Sequence, residues 1–317
     1  VGKAILKVLC RLLKSKIRTV LRNREVLIMA DLTTIILTKN EELNIKECIN
    51  SVKEVSKRIV VVDSFSTDKT VEIARALGVE VYQHEFVNYG KQFQFALDNC
   101  DIKTTWVFRF DADERLTLEG AKELEELCKD HENTDVNGFI FKLEVNFLGR
   151  SLKHGGTYPF KKLCIFKFGK AYMEERYMDE QIVLTEGRSI EMKSVSKHHD
   201  YKDLSFWIDK HNWYATRAAK DYMEYVNKNE GITNLDFDSK LRRIVKYKIY
   251  YKMPMRLRCW LYFMYRYIFR LGFLDGREGF LYAFFQAYWY RLLVDSKIYE
   301  AKRFGKKIGE TGEWKNV

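Results

Sequence analysis

Asp111 and Asp113 flank one alanine in Phe110-Asp111-Ala112-Asp113-Glu114, directly after the apolar run Trp106-Val107-Phe108-Arg109-Phe110. Two carboxylates so spaced at the end of a buried strand repel each other unless a cation or a hydrogen-bond donor lies between them. A hard cation such as Mg2+ or Mn2+ takes few protein carboxylates and completes its shell with water and phosphate oxygens, so the spacing suits a complex of metal and diphosphate. The bare pattern arises by chance in many chains. Its position after a strand is what gives it weight.

That position follows from the pattern around it. Short β-branched or aromatic runs at 33–38, 58–63, 79–82 and 105–110 predict strands, and the stretches between them predict helices over roughly 42–53, 67–77 and 89–99, the second stopped by Gly78. Alternation of this kind implies a mostly parallel α/β sheet with ligands at the carboxyl ends of its strands. Asp63 ends the second run, before Ser64-Phe65-Ser66-Thr67-Asp68, whose hydroxyls and carboxylate suit a helix N-cap. Beside the crevice Asp63 is expected to contact a nucleotide; a plain turn residue is the competing account. No glycine occurs from Asp31 to Leu77, which excludes a dinucleotide fingerprint or a phosphate-binding loop after the first strand. A nucleotidyltransferase would need such a loop.

Three stretches in order, Thr34-Ile35-Ile36-Leu37-Thr38-Lys39-Asn40-Glu41-Glu42, Ile59-Val60-Val61-Val62-Asp63-Ser64-Phe65-Ser66-Thr67-Asp68-Lys69-Thr70 and Phe110-Asp111-Ala112-Asp113-Glu114, resemble glycosyltransferase family 2, and within it the bacterial lipopolysaccharide-core and capsule sugar transferases. The likeness covers roughly 32–214, with Leu271-Gly272-Phe273-Leu274-Asp275-Gly276 and Tyr290-Arg291-Leu292-Leu293-Val294-Asp295 also similar. It implies a GT-A fold and inverting transfer from a nucleotide donor, a UDP-sugar, to a lipid-linked or polysaccharide glycan, with Mg2+ or Mn2+ as cofactor. It places Thr38, Asn40, Glu41 and Asp63 on the nucleotide pocket, Asp111 toward ribose and metal, and Asp113 on the metal.

Tyr89-Gly90-Lys91-Gln92-Phe93-Gln94-Phe95-Ala96-Leu97 is similar to the family's helix reaching the base and first carboxylates, which adds Lys91 and Gln94 to the nucleotide site. Phe93 stands where a basic residue is usual, and Gln94 where Asn is. Met178-Asp179-Glu180 matches the family's general base, with Glu180 preferred over Asp179; inversion requires a carboxylate to take the acceptor hydroxyl's proton. An acidic turn is the alternative. His198 aligns with a family histidine near diphosphate and metal. Neighbouring histidines in a strand point to opposite faces, so only one of His198 and His199 is expected at the site, and an ordinary surface pair is the rival account. The loop Lys153-His154-Gly155-Gly156-Thr157-Tyr158-Pro159-Phe160-Lys161-Lys162 carries paired glycines, which suit either a lid over the acceptor, with lysines near phosphate, or a plain hairpin connection.

Charge is unevenly spread over the 317 residues, whose net formal charge is +11. Residues 1–28 hold eight Lys/Arg against Glu25, and residues 240–317 hold eighteen against six acids, so the middle is acidic. Basic flanks favour an anionic surface as partner. The first 28 residues have the spacing of a basic amphipathic helix, without the uninterrupted apolar run of a secretory signal. Fourteen of the residues in 260–290 are aromatic, yet the longest uncharged stretch there is twelve residues, too short to span a bilayer. An interfacial helical region is expected, against an aromatic subdomain or a homo-oligomer interface. Aromatic residues interleaved with basic ones also suit nucleic acid, but the acidic middle and the lack of a recognition module argue against it. Six scattered cysteines without a C-x-x-C pair suit a reducing compartment.

The expected organisation is an extension over 1–29, a GT-A catalytic domain over 30–235, and a basic, aromatic, membrane-associating helical region over 236–317. Its expected place is the cytoplasmic face of a membrane, peripheral or monotopic. A non-catalytic membrane scaffold that keeps the fold is the rival from another class.

Overall fold

The computed structural model describes residues 29–174, 176, 178, 180–228, 241, 244–305, 307–308 and 314–315. The basic helix expected over the first 28 residues, the boundary at 235/236 and Asp179 lie outside the described residues.

Strands β1 (Ala30–Thr38), β2 (Ser56–Asp63), β3 (Glu80–Gln83) and β4 (Trp106–Asp111) run parallel in the spatial order β3-β2-β1-β4. β1 is the axis of this half. Its Ile35 and Ile36 point to opposite faces and both are fully buried, as a strand covered on both sides requires. Buried Thr33 and Thr34 satisfy their hydroxyls on Thr104 and Ser56, each at 2.7 Å, so no polar group is stranded. Helices α1 (Ile45–Val52), α2 (Thr70–Ala76) and α3 (Tyr89–Asn99) make the crossovers. α1 buries Ile45, Cys48, Ile49 and Val52, one stripe at three-four spacing. α3 starts at Tyr89 as expected, because the Asn88 side chain accepts from the Lys91 N–H at 2.7 Å.

α1 and α2 begin later than expected, and the reason is mutual. The loops ahead of them bind each other: the Asn40 N–H donates to Ser66 Oγ (2.8 Å), the Thr67 N–H to Asn40 Oδ1 (2.8 Å), the Glu42 N–H to Asp68 (3.1 Å) and the Lys69 N–H to Glu42 (3.1 Å). Side chains suited to capping their own helix serve the neighbouring loop instead.

Beyond β4 the sheet becomes mixed, although most of its strands keep the direction of β1. After β5 (Glu114–Arg115) and α4 (Leu118–Asp130) come β6 (Val136–Phe147), β7 (Arg150–Ser151) and β8 (Phe160–Lys167). β8 lies antiparallel between β4 and β6. It is reached by a loop rather than a crossover helix, and without a crossover a returning strand reverses. β9 (Ala171–Met173) and β10 (Ile182–Leu184) form a separate pair, β11 (Arg188–Glu191) lies beside β6, and β12 (Ser196–His198) joins β6 to β5.

α5 (Leu204–Lys228) then leads toward a helical hairpin: α6 (Met255–Met264), prolonged by a π-type turn over Tyr265–Phe269, reverses at Leu271 into α7 (Gly276–Tyr282). The turn packs on α7 through glycines, where a Cβ on Gly279 would sit 2.3 Å from the Gly272 carbonyl oxygen. α8 (Tyr290–Phe304) returns to lay Tyr290, Val294 and Ile298 on Ala215, Ala218 and Ala219 of α5. Among the described residues no helix is long and apolar enough to cross a membrane.

Candidate functional site

β1 has β2 on one side and β4 on the other, so the chain runs outward from it in both directions and a crevice opens at the carboxyl ends of β1 and β4. Register pairs Thr38 with Asp63 and Leu37 with Asp111, which gathers the acidic strand ends on one rim.

The acids at the end of β4 each meet a cation. The Asp113 carboxylate lies 3.3 Å from His198 Nε2 and 3.5 Å from Lys210 Nζ. Burial works against its charge, but His198 and Lys210 outweigh it and hold the carboxyl well below the usual range. For the same reason His198, which burial alone would depress, is raised to about 8 by Asp113. Lys162 Nζ donates to Asp111 at 2.8 Å and to Glu114 at 2.5 Å. Burial opposes the Lys162 charge, and Asp111 and Glu114 overcome it, raising its pKa. Glu114, almost wholly enclosed, is pushed upward by that burial despite Lys162. Arg109, two residues before Asp111 and on the same face of β4, lies 3.6 Å from it and also sits in the field of Glu180.

The β1 and β2 loops build the other wall. Asp63 is fully buried, and its carboxylate accepts from Thr38 Oγ1 (3.0 Å), Ser66 N–H (2.8 Å), Ser66 Oγ (2.5 Å) and Gln83 Nε2 (3.3 Å). Those four bonds fill a carboxylate's capacity, so Asp63 shapes the loop. Asn40 takes a left-handed φ of 54° and carries the bond to Thr67 already described. Glu41 accepts from Lys202 Nζ at 2.7 Å and from Asn44 Nδ2 at 2.8 Å, and burial first, then Asp113, raises its pKa.

Glu180 is nearly enclosed, with Arg217 of α5 at 3.7 Å. Lys91 is exposed at the start of α3, and Gln94 points outward to Asp98 at 2.8 Å. Helix phase sends Gln92 inward instead, where its amide donates to Ser64 Oγ at 3.0 Å. The structure thus brings together Thr38, Asn40, Glu41, Asp63, Asp111, Asp113 and His198, with Glu180 joined through Arg109, and leaves Gln94 outside. Of the two histidines only His198 meets Asp113 through its side chain; His199 packs against Tyr201 with the rings tilted and their centroids 4.3 Å apart. The glycine loop is lashed down: His154 N–H donates to Asp275 (2.8 Å), Gly155 N–H to the Arg270 carbonyl (2.8 Å), and Arg266 Nε to the Gly155 carbonyl (2.6 Å).

For Mg2+ or Mn2+, the donor chemistry fits. Asp111 and Asp113 offer hard oxygens, Asp113 stays ionised, and His198 Nδ1 is buried without a hydrogen-bond partner. Among the described residues no group of three or more Asp, Glu, His or Cys is placed to hold a metal ion, so a cation would rest on the Asp111 and Asp113 pair alone.

Residue-type reasoning passed over Arg109, Lys202, Lys210 and Arg217. Arg109 was legible from strand alternation with Asp111, and Lys210, Tyr214 and Arg217 from their three-four spacing on one helix face.

Comparison with known proteins gives the family. The profile of glycosyl transferase family 2 matches residues 33–181, from β1 through Glu180. Uncharacterized glycosyltransferases of Rickettsia typhi and Rickettsia prowazekii are 30% and 29% identical over 206 residues, 62% of this chain and 69% of each relative. Among solved structures, glucosyl-3-phosphoglycerate synthase from Mycobacterium tuberculosis, in complex with Mn2+, uridine diphosphate and glucosyl-3-phosphoglycerate, aligns with a TM-score of 0.30 and 19% identity over 37% of this chain and 44% of that one. This chain therefore spans less than half of that structure's length. With strand ends, profile and relatives in agreement, the chain belongs to glycosyl transferase family 2 and is a glycosyltransferase.

Proposed function

We propose that the enzyme transfers a sugar, with inversion, from a UDP-sugar to a lipid-carried glycan at an anionic membrane surface. One juxtaposition supports this reading: Asp111 and Asp113 end β4 at the switch point, with Lys162, His198 and Lys210 at 2.8, 3.3 and 3.5 Å. In transfer the bond from anomeric carbon to diphosphate breaks as the acceptor oxygen bonds to that carbon from the opposite face. Glu180, oriented by Arg217, takes the acceptor hydroxyl's proton. Lys162 and Lys210 meet the charge left on the departing diphosphate. Mg2+ or Mn2+ would be held by Asp113 and Asp111, with His198 beside them keeping Asp113 ionised, and when bound supplies Lewis-acid stabilisation of that leaving group. Asp63 and the loops it ties shape the nucleotide wall.

The test is release of UDP from UDP-sugars by the purified chain, with and without Mn2+. Glu180→Gln and Asp113→Asn proteins with unchanged circular dichroism are expected to lose about 10²-fold or more of the rate. A full rate in EDTA, or from Glu180→Gln, would overturn the assignment.

A further inference from the structure

The outward face of the hairpin is apolar where a solvated helix would be polar. Leu257, Trp260, Leu261, Tyr265 and Ile268 recur at three-four spacing along α6 and its prolongation, all of them exposed, and Phe269 at the end is 75% exposed. The stripe runs on into the turn through Leu271, Phe273 and Leu274, which are exposed as well. An exposed apolar stripe of this length marks a contact face.

The charges around it select the partner. From Lys252 to Arg277 the exposed charges are Lys252, Arg256, Arg270 and Arg277, while the single acid, Asp275, is buried against His154. Two copies meeting through this face would set arginines against arginines. An anionic bilayer would instead receive the rings at headgroup depth and meet the cations with phosphate. Leu271 is held at φ 59°, which side chains with a Cβ disfavour, and the turn so formed keeps its leucine outward. Beside it opens a pocket of about 250 Å³ lined by Lys153, His154, Tyr158, Phe269 and Arg270. The Arg270 guanidinium faces it and makes no side-chain bond among the described residues.

We propose that the stripe of α6 and the Phe269–Leu274 turn enter the headgroup layer of an anionic bilayer, with Arg270 taking a lipid phosphate in the adjoining pocket. This deepens the reading of a lipid-carried acceptor and rests on it for its purpose. Tyr158 in that pocket is four residues from Lys162 at the transfer site, at most about 14 Å of chain. Headgroup level and reaction level are thus close.

The test is co-sedimentation of the full chain with vesicles of phosphatidylcholine alone or mixed with phosphatidylglycerol. Binding is expected to the mixed vesicles only. The Phe269→Ser/Leu274→Ser double variant and Arg270→Glu should each weaken it about tenfold, while Lys129→Glu, the same charge change on α4, binds as the parent does. UDP release in solution should be equal in all four proteins, so the vesicle result stands apart from the transfer assay. The proposal is overturned if the double variant binds like the parent, if neutral vesicles bind equally, if Lys129→Glu weakens binding as much as Arg270→Glu, or if the double variant instead abolishes dimerisation in the absence of lipid.

Discussion

His198 and Asp113 hold each other in their charged forms, and the pairing gives the enzyme a pH signature of its own. The folded imidazole titrates at about 8, against an ordinary 6.5. A raised pKa means that the stabilisation is complete below about 6.5 and fades as pH rises through about 8. In the absence of divalent metal, the melting temperature is therefore expected to fall between pH 6.5 and pH 9, and His198→Gln should flatten that slope. Differential scanning fluorimetry across this range checks it; an equal slope in both proteins would assign the dependence to other groups. At this scale the sequence was informative about acids and much less about bases. Asp111, Asp113 and Glu180 stand in motifs and Lys162 ends the loop expected to bring lysines near phosphate, whereas Lys210 reaches the site from a distant helix, a placement that local spacing does not encode.

At the scale of elements, the two loops ahead of α1 and α2 act as one unit. Asn40→Ala removes the acceptor for the Thr67 N–H while keeping a left-handed backbone that alanine disfavours, and is expected to cost about 1–2 kcal/mol. A shift of the urea midpoint at unchanged m-value would show it, together with weaker UDP binding by calorimetry. The parallel half of the sheet was legible because Ile and Val runs buried on both faces leave little choice. The starts of α1 and α2 were not, because their capping groups find partners across the crossover rather than within their own segment. The antiparallel entry of β8 was hidden for a related reason: strand periodicity reports which face is buried and says nothing of direction. Gln94 shows the same limit, since Gln92, two residues and about 200° of helix rotation away, is the one that turns inward.

Over the whole molecule, the sheet and the helical region are joined by buried polar contacts as well as by packing. Arg176, in the segment that leads to Glu180, bonds Asp221 of α5 at 2.5 Å, and Tyr247 from beyond α5 bonds the same carboxylate at 2.8 Å. Removing one partner of such a group leaves the others buried and unpaired. Asp221→Asn is expected to destabilise the fold by about 3 kcal/mol, lowering the melting temperature, and to slow UDP release as the Glu180 segment loosens. Unchanged values of both would mean that packing alone joins the two regions.

α5 carries two tasks on opposite sides of one cylinder: Lys210 and Arg217 look toward the crevice, while Ala215, Ala218 and Ala219 receive α8. Each added residue rotates everything after it by about 100°. Over the course of descent this stretch can therefore exchange side chains far more readily than it can change length. A one-residue insertion after Lys210 would leave both ends chemically intact and facing the wrong neighbours.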